Sequence, residues 1–89
     1  MMTPINVELL VAAEVLYEEF DYGRAAQKLG ITESLLKSRI AALQAHLDFH
    51  LFVTQGKRVK VTPQGHAFIN AARDFLLEMK RIKSHQQRE

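Results

Sequence analysis

The chain has 89 residues, 47% of them hydrophobic and 25% charged, and 12 Lys+Arg against 10 Asp+Glu leave a formal net charge of only +2. That size fits one small domain, too apolar and too evenly charged for a disordered chain, and no apolar run approaches the roughly 18 residues of a membrane span. The absence of Cys excludes disulfide staples and cysteine-ligated metals, so stability must come from tight packing or from a second subunit.

Thr3-Pro4 reads as a helix start, because Pro suits the first helical position and Thr can cap free amides. Val7, Leu10, Ala13, Leu16 and Phe20 follow at spacings of three and four, which predicts one buried face with the acids on the wet side. Asp21 is placed to cap a second helix from about Tyr22 to Leu29, and the small pair Ala25-Ala26 lets another helix approach closely. Gly30 ends that helix in the left-handed region. Thr32 can cap a third helix from about Glu33 to Leu47. Leu36, Ile40, Leu43 and Leu47 form its apolar stripe, and the opposite face carries Ser34, Ser38, Ala41 and Ala45, all small. Glu33 and Lys37 flank that small strip on one side and Leu35 on the other.

From Phe49 to Thr62 the period becomes two. Phe49, Leu51 and Val53 alternate with His50 and Phe52, and Val59 and Val61 with Arg58 and Lys60, which predicts two strands joined at Gln55, Gly56 and Lys57. Such a hairpin is marginal alone and must lean on the helices. Thr62-Pro63 then opens the longest helix, to about Ser84. Phe68, Ala72, Phe75, Met79 and Ile82 form a heptad seam along it. Leu76, Ile69 and Ala71 widen the stripe beyond one seam. This predicts packing on the body and on a second subunit, with Phe68, Ala72, Phe75, Leu76, Met79 and Ile82 as the homodimer interface. The tail from Lys83 to Glu89 is polar and expected to fray. The organisation is thus a domain over 1–62, a linker and dimerisation helix over 63–84 and a polar tail over 85–89.

Charge is segregated along this frame. Residues 1–22 hold five acids (Glu8, Glu14, Glu18, Glu19, Asp21) and no Lys or Arg, a net of −5. Residues 23–66 hold seven bases (Arg24, Lys28, Lys37, Arg39, Lys57, Arg58, Lys60) against Glu33 and Asp48, a net of +5. The weak total hides a basic middle segment, which points to a polyanion-binding face.

Two short helices joined by a Gly-containing turn, then a hairpin and a long helix, describe a mainly α winged helix-turn-helix. In such a unit the second helix of the pair enters the major groove of double-stranded DNA. Thr32, Glu33, Ser34, Lys37 and Ser38 would face the base edges: the serines donate or accept, Lys37 reaches guanine acceptors or phosphate, and Glu33 accepts from a cytosine amino group. Lys57 and Arg58 at the wing tip would follow the backbone or enter the minor groove. Arg24, Lys28, Arg39 and Lys60 are suited to phosphates, which position without reading sequence.

The run from Arg24 to Ile40, RAAQKLGITESLLKSRI, resembles the helix-turn-helix of LysR-type transcriptional regulators, as do Leu51-Phe52 before the wing and Val59–Gly65, VKVTPQG, after it. The resemblance extends from about Ile5 to Ile82. It implies a winged domain followed by a linker helix through which two copies pair, each copy reading half of a roughly palindromic promoter site.

Several positions depart from the family pattern. Glu33 stands where Gln is usual, Lys37 where Ser or Thr is common, and Ser38 and Thr54 where Arg is frequent. Glu33 and Lys37 are four apart on one helix face and suited to pair. Phe20 and Ala13 stand in place of the usual Gly and Phe, a candidate volume swap. The family also carries a larger effector-binding domain. This chain stops at the end of the linker helix, so it is either an excised piece or a stand-alone module with no small-molecule effector site.

An enzyme reading is poor. His46, His50, His66 and His85 are scattered, no nucleophile, base and orienter converge, and no glycine loop cradles phosphate. No cofactor or metal is expected. The absence of a basic start followed by an apolar core predicts a cytoplasmic, nucleoid-associated protein. The alternative is an interaction module or antagonist that pairs through its last helix and binds DNA weakly.

Overall fold

Four side-chain caps set the helix starts. Asn6 Oδ1 accepts from Leu9 N at 3.0 Å, Asp21 Oδ1 from Arg24 N at 2.9 Å, Thr32 Oγ1 from Leu35 N at 3.1 Å and Thr62 Oγ1 from Gly65 N at 2.9 Å. Each occupies an amide that the first helical turn leaves without a partner. The computed structural model describes residues 5–56 and 58–86. Its elements are α1 (Val7–Glu19), α2 (Tyr22–Leu29), α3 (Glu33–Leu47), β1 (Phe52–Gln55), β2 (Arg58–Val61) and α4 (Pro63–Gln86). Thr3 and Pro4 lie outside the described residues, but the expected start of the first helix moves to Val7, with Asn6 as its cap. At the other end α4 continues two residues past Ser84, so the expected tail is helical through Gln86, and 87–89 lie outside the described residues.

The helices meet on a shared apolar core. Leu16 of α1, Leu36, Ile40 and Leu43 of α3, Leu51 before the wing and Ile69 of α4 are its largest fully buried side chains. Truncating one of them to Ala removes contacts worth roughly 2–5 kcal/mol. Ala12, Ala13, Ala25 and Ala26 are also buried and let the α1, α2 and α3 backbones approach. The buried stripe of α1 is Leu9, Ala12, Ala13, Val15 and Leu16, which corrects the expected one. Val7 is 40% exposed and Phe20 41%, because α1 packs against α3 and α4 along the side that carries Leu9 and Leu16. Phe20 ends α1 at φ 55° and its ring stands beside Tyr17 on the surface. A Phe in the left-handed region costs roughly 1–2 kcal/mol relative to ordinary helical backbone, whereas Gly30, at φ 69° after α2, has no such penalty.

β1 and β2 pair antiparallel, with Phe52 opposite Val61 and Thr54 opposite Val59. Those four residues share one face of the pleat, and Phe52 and Val59 bury against the helices. The expected phase of the first strand is therefore inverted: Phe52 points in and Val53, 48% exposed, points out. The wing is fastened at three places. Val59 N donates to Phe20 O at 3.2 Å, with a bridge between Asp21 and Arg58 beside it. Gln44 Oε1 of α3 accepts from both Leu51 N at 2.8 Å and Phe52 N at 3.1 Å. Thr62 N donates to Leu51 O at 2.9 Å.

Close approach holds the start of α4. A Cβ on Gly65 would overlap the Leu51 carbonyl and stand 2.9 Å from Leu51 Cα. Farther along α4, Ile69, Ala72 and Leu76 turn inward, while Phe75, Leu77 and Ile82 are 52%, 60% and 52% exposed. The expected dimer stripe is thus divided. Ala72 and Leu76 are buried in the chain's own body and offer a second subunit little surface, which corrects their assignment to the interface. Phe68 is half-buried against the core, where it meets Phe49 edge-on, and Met79 is half-buried; Phe75 and Ile82 remain outward.

Candidate nucleic-acid interface

α3 presents its N-terminal half to solvent beside the wing. Thr32, Glu33, Ser34, Leu35, Lys37 and Ser38 are all exposed, and so are Ala41 and Ala45 farther along the same face. The helix forms here because Gly30 turns the chain after α2 and Thr32 caps the new helix, while Leu36, Ile40 and Leu43 anchor the opposite side. The small outer residues keep the helix cylinder narrow.

One edge of this face is charged and organised. Lys37 Nζ lies 3.4 Å from Glu33 Oε2 and 5.4 Å from the centre of the Tyr22 ring. The expected Glu33–Lys37 pair is present, with both side chains more than half exposed. Asp21, Tyr22, Thr54 and Gly56 wall the cleft in which it sits, so this edge faces α2 and the wing.

The expected phosphate-binding cations fall into two groups. Arg24, Arg58 and Lys60 line one open groove between the α1–α2 turn and β2, next to Phe20 and to the acids Glu19 and Asp21. Among the described residues none of the three makes an ion pair. Lys28 and Arg39 are instead engaged by acids of α1: Lys28 Nζ lies 3.2 Å from Glu18 and 3.5 Å from Glu19, and Arg39 lies 3.6 Å from Glu8. The hydrogen bond to Glu18, helped by the charges of Glu18 and Glu19, holds the Lys28 ammonium above its ordinary 10.5. Lys57 lies outside the described residues.

Sequence reasoning missed three contributors. Gln44 orients the chain entering the wing, yet one Gln in a helix carries no periodic signal. Tyr22 backs Lys37 from a different helix. Arg73 of α4 reaches Glu14 at 3.5 Å and Glu18 at 3.3 Å, with its guanidinium 5.0 Å from the Tyr17 ring centre, and so locks α4 to α1. Tyr17 also hydrogen-bonds His66 at the start of α4. Among the described residues no group of three or more His, Cys, Asp or Glu could hold a metal ion, and no helix is long and apolar enough to cross a membrane.

Comparison with known proteins agrees with this geometry. Residues 7–66 match the family model described as bacterial regulatory helix-turn-helix protein, lysR family. Nodulation protein D 1 of Neorhizobium galegae is 32% identical over 75 residues, which cover 84% of this chain and 24% of that protein. An HTH-type transcriptional regulator of Bacillus subtilis (strain 168) is 31% identical over 71 residues, covering 80% and 24%. The chain thus spans about a quarter of the length of the curated relatives it matches. Among solved structures, the BenM DNA-binding domain in complex with catB site 1 DNA superposes with a TM-score of 0.90 at 28% identity, covering 94% of each chain. The CbnR DNA-binding domain, from a complex with DNA, shares the fold with a TM-score of 0.90 at 23% identity, over 93% of this chain and 95% of that one. A match over most of the folded core, carried by the helix-turn-helix and the wing, places the chain in the LysR family of bacterial regulatory helix-turn-helix proteins, with the winged fold of their DNA-binding domains.

Proposed function

We propose that the chain binds double-stranded DNA sequence-specifically as a homodimer, as part of a transcriptional regulator acting on cytoplasmic DNA. In this reading α3 lies in the major groove with Thr32, Glu33, Ser34, Lys37 and Ser38 at the base edges. The wing, with Lys57 and Arg58, follows the minor groove or backbone. Arg24 and Lys60 hold phosphates, and α4 pairs with a second α4 through Phe75 and Ile82.

The observation that carries the proposal is the union of two features on one side of the molecule. An α3 face of small side chains, open to approach, stands beside a groove that Arg24, Arg58 and Lys60 line together with Glu19 and Asp21, and among the described residues none of the three cations makes an ion pair with these or other acids. Small side chains permit close helix approach to base edges, and free cations supply the salt-dependent attraction. Selection of binding sites from random DNA tests it: two related half-sites spaced by about one helical turn are expected. Recovery of no enriched sequence would contradict specific binding.

A second reading, a regulator antagonist that binds DNA weakly, draws on the engagement of Lys28 and Arg39 by Glu18, Glu19 and Glu8 and on the apolar outer face of α4. It predicts heterodimers with other linker helices and no enriched DNA in the same selection.

A further inference from the structure

Leu35 is the one large apolar side chain exposed on α3. It is 41% exposed, whereas Leu36 beside it is fully buried. Its amide donates to the capping Thr32 Oγ1 at 3.1 Å, so the residue sits in the first turn of the helix at a defined height. Successive helical residues are about 100° apart, which places Leu35 on the flank of the Ser34–Ser38 strip opposite Glu33 and Lys37. The reading face therefore has three lanes: a charged lane toward the wing, a small hydroxyl lane at the centre and an apolar lane away from the wing.

Resting on the DNA-binding reading above, we propose that Leu35 is a specificity-determining residue that packs on the C5-methyl group of a pyrimidine in the major groove. The major groove shows hydrogen-bonding groups at every base pair, and its one apolar group is the thymine methyl; 5-methylcytosine presents the same methyl. A leucine at the rim of the core gains nothing by standing in water, and it can neither donate nor accept a hydrogen bond. It discriminates by area alone. Against a methyl it completes a contact, and against unmethylated cytosine it faces an amino group it cannot satisfy.

The test uses the full 89-residue chain and a duplex obtained by site selection. Each thymine of a half-site is replaced singly by deoxyuridine, which deletes only the methyl, and binding is followed by fluorescence anisotropy. One position per half-site is expected to weaken about fourfold, the value of one buried methyl. Leu35→Ala, a surface change that should leave the circular dichroism unaltered, should lose that sensitivity. In a parallel arm each cytosine is replaced singly by 5-methylcytosine. A gain there that vanishes in Leu35→Ala, without any uracil-sensitive thymine, would assign the contact to the methylated base. If the chain binds DNA but no methyl matters, or the same loss persists in Leu35→Ala, the Leu35 assignment is overturned and DNA binding stands. If no duplex is bound at all, both fall together.

Discussion

Lys37 Nζ lies 3.4 Å from the carboxylate of Glu33, so the cation that α3 carries to its outer face arrives already paired. Because the pair is exposed, it adds little to stability; under the proposed DNA-binding role its consequence is for recognition. A carboxylate at this edge accepts from a cytosine amino group but repels phosphates and cannot donate to an adenine N7.

Glu33→Gln is therefore expected to tighten DNA binding about tenfold, within the roughly 1–3 kcal/mol of one base contact, and to move the preference at one position from cytosine to adenine. Site selection on the variant reads both. Unchanged affinity and preference would place Glu33 away from the bases.

Glu18 and Glu19 restrain Lys28 in the same sense. Replacing both by Gln frees its ammonium. The log–log dependence of DNA affinity on salt should steepen by about one, as for one added phosphate contact. In the parent protein the raised Lys28 value keeps the lysine charged. The pair's contribution to the fold is therefore complete below pH 10.5 and is lost only as pH climbs through the folded-state value, so no change in binding between pH 6 and 9 should trace to it.

The dimer prediction rests on which α4 residues remain outside the body. Phe75 and Ile82 are each 52% exposed, so changing both to Glu should leave the helical circular dichroism of the chain in place and lower the midpoint only by the lost association, while light scattering falls from two chain masses to one. Leu76→Glu should instead unfold the chain, because Leu76 is only 8% exposed. A dimer that survives the Phe75 and Ile82 changes would move the interface off this face.

Gln44 tests how the wing is held. Its Oε1 satisfies Leu51 N and Phe52 N at once, and Gln44→Ala leaves two partly buried amides without that acceptor. A loss of about 1–3 kcal/mol is expected, seen as a lower midpoint in denaturant. A change below a few tenths of a kcal/mol would mean that water replaces the side chain.

The legible parts of this fold are those where one short signal has one solution. Asp21, Gly30 and Thr32 delimit α2 and α3 to the residue, because a capping side chain and a glycine suited to φ 69° act within one turn. The Glu33–Lys37 pair follows from helical spacing alone. The phase of β1 was not legible, since Phe49, Leu51, Phe52 and Val53 put apolar residues on both alternations. Only pairing of Phe52 with Val61 decides between them. On α4 both Phe75 and Leu76 satisfy a helical stripe, and contact with α1 selects Leu76. The capture of Lys28 by Glu18 joins residues ten apart through the α1–α2 turn, a distance that no local pattern reports.

The central claim is that this winged face binds DNA, and a gel-shift titration across salt concentration tests it most directly. Contacts to about six phosphates predict a log–log slope of roughly −5, and Arg58→Ala should reduce its magnitude by about one. Absence of any retarded species at low salt on every duplex offered, with the chain folded and dimeric, would contradict the account.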